Sequence, residues 1–132
     1  MSQENVEVVR RLYQAFLRGD QSAIVAGLHP EIEWRSIEDT ETRHGHDGVA
    51  TSVAGWLETW EEHDLKPEEY LDAGDQVVVT TRLRGRGRQS GATVETRYFA
   101  VWQLRDGQAV AYREYPSKPV ALEAAGLSEQ PM

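Results

Sequence analysis

The stretch LKPEEYLDAGDQVVVTTRLRGRGRQSGATVETRYFAVWQLRDGQAVAYREY, residues 65–115, decides the fold. Turn signals at Ala73-Gly74-Asp75, Gln89-Ser90-Gly91 and Asp106-Gly107 cut it into four strand-like runs. Pro67 puts the first run at a sheet edge, because proline has no N–H to give a ladder. The runs at Gln76–Arg88, Thr93–Leu104 and Gln108–Tyr115 read as a meander. An antiparallel sheet that follows its helices in sequence curls over them to hide their apolar stripes. The expectation is an α+β domain: a cone-shaped, curved antiparallel sheet wrapped around N-terminal helices, with an internal cavity.

Working outward, Val6, Val9, Leu12, Tyr13, Phe16 and Leu17 recur every three or four residues, which predicts an amphipathic helix over Asn5–Leu17 that stops near Gly19. Asp20 caps a second, short helix from Gln21 to Leu28, closed by Pro30. Ile32, Trp34 and Ser36 share one face of a first strand, and residues 37–44 have no period and read as an open loop. A third helix is expected from Asp47 to Glu62, with Val49, Val53, Trp56, Leu57 and Trp60 on its buried stripe. Lys118 to Gly126 reads as a C-terminal helix. The 132 residues form one domain, 1–127, with a short polar tail at 128–132.

A formal net charge of −8 repels phosphate backbones and anionic lipid, so nucleic acid and membrane surfaces are not expected partners. Without cysteine there is no disulfide, thiolate metal site or cysteine nucleophile. The start, Met-Ser-Gln-Glu-Asn, lacks the pattern of a secretory signal, and no apolar run nears the roughly 20 residues of a bilayer span. A cytoplasmic location is the expectation. No metal site is expected: His44 and His46 lack a third ligand at suitable spacing. No glycine-rich phosphate loop follows a strand, and no cofactor is indicated.

Strand alternation assigns faces. If the Gln89-Ser90-Gly91 turn pairs residues whose numbers sum to about 180, Val78, Thr80, Arg82 and Arg84 lie across from Trp102, Ala100, Tyr98 and Thr96. Val77, Val79, Leu83, Phe99 and Val101 then form a second apolar face. That face meets a second copy of the chain in a homodimer through the convex side, or is covered by the chain's own termini. Arg82 and Arg84 offer planar forks to a carboxylate, enolate or phosphate, or pair structurally with Glu114. Trp34, Trp56, Trp60, Tyr98 and Trp102 form either an aromatic lining for a flat small-molecule ligand or core filling. The last turn sets the role of Glu114. A two-residue Asp-Gly turn aims Arg113 and Tyr115 inward, whereas a three-residue turn with a glycine bulge aims Tyr112 and Glu114 inward.

The order of elements resembles the nuclear transport factor 2-like superfamily (cystatin-like cone), and within it the SnoaL-like, polyketide cyclase and ketosteroid isomerase-like proteins. The residues that carry the resemblance are Tyr13 before Gly19-Asp20, His29-Pro30-Glu31 before Trp34, and Gly45 opening the third helix. Further along are Arg84 to Gly91, Arg105-Asp106-Gly107 and Arg113-Glu114-Tyr115 ahead of Ala121 to Leu127. The resemblance covers nearly the whole chain. It implies a small-molecule pocket and no single reaction, since isomerases, cyclases, hydrolases and plain binding modules share the fold. Of the isomerase pattern only Tyr13 matches, because the two acid positions fall on Ser36 and Ala100. The cyclase pattern lacks its inward histidine. Of the epoxide hydrolase pattern Arg82 and Glu114 match, with Arg84 where the other acid belongs. The resemblance favours the three-residue turn, and the expected site is thus Glu114 as acid or base, Arg82 orienting it or stabilising an oxyanion, and Tyr13 as donor. Trp34, Trp56, Trp60, Tyr98, Trp102 and Arg84 are expected around the ligand. The alternative is a non-catalytic ligand-binding or protein-interaction module.

Overall fold

A computed structural model describes residues 2–127. The expected tail at 128–132 lies outside the described residues. Helix α1 spans Ser2–Leu17 and ends where Gly19 takes a positive φ of 72°. Asp20 caps α2 (Gln21–Gly27) by accepting the Ala23 N–H at 3.1 Å. The chain then enters β1 (Leu28–Arg35), β2 (Arg43–His44) and α3 (Gly45–Thr59). Strands β3 (Trp60–Ala73), β4 (Gln76–Gly87), β5 (Thr93–Arg105) and β6 (Gln108–Tyr115) follow, and α4 (Lys118–Ala124) closes the chain. Helix α3 stops three residues sooner than expected. Trp60 is the first residue of β3 and pairs with Gly87, because a tryptophan at that position satisfies the helical and the strand period alike.

The six strands form one curved, unclosed sheet in the order β2-β1-β6-β5-β4-β3. Strand β3 is the expected edge carrying Pro67. The sheet is mixed, not all antiparallel as expected, because β1 runs parallel to β6. The long connection that a parallel pair requires is here α3 and four further strands, which local turn signals do not reveal. Pro30 falls in the break of that ladder between Leu28 and Glu33, where no N–H is missed.

The β4–β5 ladder is one residue off the expected register. Four residues, Arg88 to Gly91, close the hairpin between Gly87 and Ala92, whose N–H···O bond is 2.9 Å. The expected turn, centred on Ser90, has the wrong parity. Val77 therefore faces Trp102, Val79 faces Ala100 and Thr81 faces Tyr98, all toward the helices. Val78 faces Val101, Thr80 faces Phe99, Arg82 faces Arg97 and Arg84 faces Glu95 on the outer side. A slip of one residue exchanges the two faces of a strand, and it corrects the placement of both arginines.

The inner layer joins Val77, Val79 and Trp102 to Val9 and Leu12 of α1, Ile32 of β1 and Val49 of α3. Each such side chain removed from water contributes about 1.5–3 kcal/mol. On the outer face α4 and its C-cap lay Ala121, Leu122 and Ala125 over Val78 and Val101. Ser117 caps that helix, and the Leu127 N–H returns to the Leu122 carbonyl at 2.7 Å beyond Gly126, whose φ is 81°. Cover by the chain's own C-terminal segment, the competing account in the sequence reading, is what the outer valines receive.

Val101→Glu places an unpaired charge beneath α4. We expect it to undock that helix and to destabilise the folded chain by roughly 3 kcal/mol or more, read by thermal melting. A variant that melts like the parent and differs only in oligomeric state contradicts this packing.

Candidate functional site

Two local features of β6 build the site. Asp106 (φ 53°) and Gly107 (φ 81°) form a two-residue turn of the type in which both positions need positive φ, closed by Arg105 opposite Gln108. One turn after this, the ladder skips a residue. Leu104 faces Ala109, but Gln103 faces Ala111, so Val110 is bulged. The expected three-residue turn is absent. The bulge supplies the parity instead, and Tyr112 and Glu114 face inward opposite Trp102 and Ala100.

Glu114 accepts the Ile37 N–H on Oε1 at 2.7 Å and the Tyr112 hydroxyl on Oε2. Among the described residues, no arginine or lysine is one of its hydrogen-bond or ion-pair partners. Burial pushes its carboxyl up to about 7; the Tyr112 and Ile37 donors pull it down, and the charges of Glu38 and Asp39 push it further up. Burial, then the Glu114 charge, raises Tyr112 well above the usual phenol range. Tyr98 is raised by burial and accepts the Trp56 Nε1–H at 3.2 Å. Tyr13 is also raised by burial, and its hydroxyl accepts the Trp102 Nε1–H at 3.2 Å. The Thr81 hydroxyl, 3% exposed and beside Tyr13, has no partner in good geometry. Four hydroxyls and one carboxyl thus share the inner face.

Rings fill the space around them. Trp34 stacks on Tyr112 at 3.9 Å, and Trp102 meets Trp34, Tyr112 and Tyr13 edge-on at 5.7, 4.6 and 5.7 Å. Trp56 contacts Phe16, Trp60 and His63. Trp60 lies over Gly85, where a Cβ would come within 2.7 Å of the ring. The five expected aromatic residues therefore do gather on the inner side. They interlock, however, and two concavities lie elsewhere. One of about 250 Å³ is on the outer face by Arg35, Gln103, Arg113 and Tyr115. The other, of about 270 Å³, is at the end of the β3–β4 pair by His63, Arg84 and Arg86.

Arg82 does not meet Glu114. It lies on the outer face with Glu68 at 3.9 Å and Glu95 at 3.5 Å, and Arg84 pairs with Glu95 at 3.7 Å. Both belong to a surface ion ladder on β3, β4 and β5. His46 Nε2 lies 2.9 Å from the Leu28 carbonyl, and among the described residues no three side chains that could hold a metal stand together.

The open loop expected at 37–44 is present at 36–42, with Arg43 and His44 paired as β2, but its part in the site was not foreseen. Its Asp39, with a side chain 8% exposed, accepts the Ser36 N–H (2.9 Å), the Ser36 hydroxyl (2.9 Å) and the Ser52 hydroxyl of α3 (3.0 Å). Arg43 adds an ion pair at 3.4 Å. Burial alone raises such a carboxyl, but these donors outweigh it and hold Asp39 below its usual range. The signal for this was present in the spacing Ser36-x-x-Asp39, a side chain that returns to a backbone N–H three residues back.

Residues 9–112 match the SnoaL-like domain family. The chain belongs to that family. No curated protein matches the sequence. A nuclear transport factor 2-like protein of Burkholderia thailandensis is 28% identical, with a TM-score of 0.76 over 96% of this chain and 97% of its own. A nuclear transport factor 2-like protein of unknown function from Burkholderia pseudomallei is 25% identical, with a TM-score of 0.77 over 91% and 95%. TerC, co-crystallised with polyporic acid, is 26% identical, with a TM-score of 0.75 over 93% and 98%. The SnoaL-like fold is thereby established for this chain. Among the described residues no helix is long and apolar enough to cross a membrane.

The Glu114 shift makes a stability prediction. Below about 4.5 the carboxyl is protonated folded or unfolded; above it the unfolded chain releases a proton that the folded chain keeps until about 7. Its contribution to stability therefore falls as pH rises through that window, by on the order of 3 kcal/mol at most. Glu114→Gln has no such step. Its stability relative to the parent should be highest near pH 8 and should decline steadily on acidification to pH 5. A difference independent of pH contradicts the shift.

Proposed function

We propose that this SnoaL-like protein is a proton-transfer enzyme of isomerase, cyclase or hydrolase type, acting on a small, partly apolar molecule with a carbonyl group. One observation carries the reading: an inward carboxyl held near neutrality, beside phenol hydroxyls and without a basic partner. A carboxyl that titrates near 7 takes and returns a proton at physiological pH. Glu114 is the acid and base. Tyr98 and Tyr13 are the hydroxyls that steady a developing oxyanion, while Tyr112 holds Glu114. Arg82 and Arg84 have no part in this version.

The charge of the site restricts the ligand. The charged neighbours felt by Glu114 are Glu38 and Asp39, so a free carboxylate or phosphate is repelled, and the substrate is neutral or cationic at its reacting end. Trp56, Tyr98 and Trp34 supply the apolar contact, and TerC's co-crystallisation with polyporic acid supports a small-molecule site on this scaffold. The ligand enters at the rim formed by Glu38, Ile37 and Trp56, where Ile37 is 44% exposed. The same proposal places the protein in the cytoplasm and includes a homodimer through the part of the convex face that α4 leaves free.

The interlocked rings favour a second reading, a binding module whose inner face is core. One assay separates the two. β-Tetralone in deuterated buffer is the probe, and loss of its α-proton signal is followed by NMR. We expect exchange above the buffer rate, rising with pH to a plateau above about 7, and falling about 100-fold or more in Glu114→Gln with the fold intact. Equal exchange by parent and variant supports the binding module.

A further inference from the structure

We infer that Asp39 is a positioning residue for Glu114: by knotting the loop at 36–42 onto α3 and β2, it holds the Ile37 N–H against the Glu114 carboxylate. The inference rests on the reading of Glu114 as the acid–base group, but its test does not require turnover.

The geometry is local and closed. Asp39 gathers four donors from three parts of the chain: the Ser36 N–H and hydroxyl in its own loop, the Ser52 hydroxyl on α3 and Arg43 Nε on β2. The Asp39 N–H also bonds the Ser36 carbonyl at 3.1 Å, so the turn is pinned from both sides. Ile37 lies inside this knot. Its N–H is directed across to Glu114, 77 residues away in sequence, while the residue stays 44% exposed. A half-exposed isoleucine is held there only in part by packing. The knot supplies the rest.

Two effects of Asp39 on Glu114 have opposite signs. Its charge disfavours the ionised carboxylate through space, and the N–H it positions favours it through a hydrogen bond. The other groups facing Glu114 are Tyr112 on its own strand, Tyr98 on β5, Tyr13 on α1 and Glu38 in the loop. Asp39 itself faces Arg43, and its charge also raises Glu38; either substitution at Asp39 removes the ion pair and that charge, so the two variants change these neighbours alike. Alanine removes both the charge and the knot; asparagine removes the charge and keeps an acceptor for the Ser36 N–H. The two variants therefore part company only if Asp39 positions.

The test is a pH titration of the Glu114 carboxyl by its ¹³C resonance in Asp39→Ala and Asp39→Asn, with hydrogen exchange at the Ile37 amide alongside. Positioning predicts that alanine moves the inflection upward by roughly half a pH unit or more and deprotects the Ile37 amide. Asparagine should move it downward or leave it in place, with the amide protected. A downward shift in both variants leaves only a through-space charge, and lower melting temperatures with no shift leave only a structural role; either result overturns the inference. If Asp39→Ala does not fold, Ser36→Ala combined with Ser52→Ala leaves the charge and removes two donors from it. An upward shift there supports positioning, and an unmoved inflection overturns it. Absence of tetralone exchange in the parent bears on the enzyme reading alone.

Discussion

Side chains on a strand alternate with a period of two, so the facing of β4, β5 and β6 depends on two parity choices. The first is the four-residue loop from Arg88 to Gly91, which sets β4 against β5. The second is the bulge at Val110, which offsets the even Asp106-Gly107 turn and sets β6 against β5. Change either by one residue and valines exchange places with arginines, or Tyr112 and Glu114 with Arg113 and Tyr115. Burial enforces both choices. Val77, Val79 and Leu83 have no exposed surface, whereas Arg84 on the alternate face keeps 62% of its side chain exposed.

That segregation divides the electrostatics of the protein into two layers. Outside, Arg82, Arg84, Arg86 and Arg97 alternate with Glu61, Glu62, Glu68 and Glu95 in a solvated ladder. Each exposed pair of this kind contributes about 0–1 kcal/mol, so the ladder protects a sheet edge more than it stabilises the fold. Inside, one carboxyl stands among hydroxyls and rings with other carboxylates nearby and no cation bonded to it. Desolvation then outweighs two good hydrogen bonds, which is why Glu114 is raised although it is well satisfied. An arginine beside it on the inner face would have held the acid ionised and ended its use as a proton carrier.

Much of this was legible in the sequence, and the failures have physical causes. Helix α1 and the spans of β4, β5 and β6 follow from periodicity and turn residues, because each is a local property. The inward facing of Glu114 was reached through the wrong turn: glycine marks where a chain bends, but not how many residues the bend takes. The parity of the Arg88–Gly91 loop was unreadable for the same reason, and with it the placement of Arg82 and Arg84. The parallel pairing of β1 with β6 is a contact between distant segments, on which local patterns are silent. The loop at 36–42 has neither period, so Glu38 and the Ile37 N–H were invisible until the chain brought them to Glu114.

The account turns on the ionisation of one group. Selective ¹³C labelling of glutamate, with Glu114→Gln to assign the signal, allows the side-chain carboxyl to be followed from pH 3 to pH 9 in the unmodified chain. The arrangement described here predicts an inflection near 7 for Glu114, well apart from the surface glutamates. An inflection near 4.5 would mean that the inner face is wet or the carboxylate is paired, and it would contradict the proposed chemistry at its base.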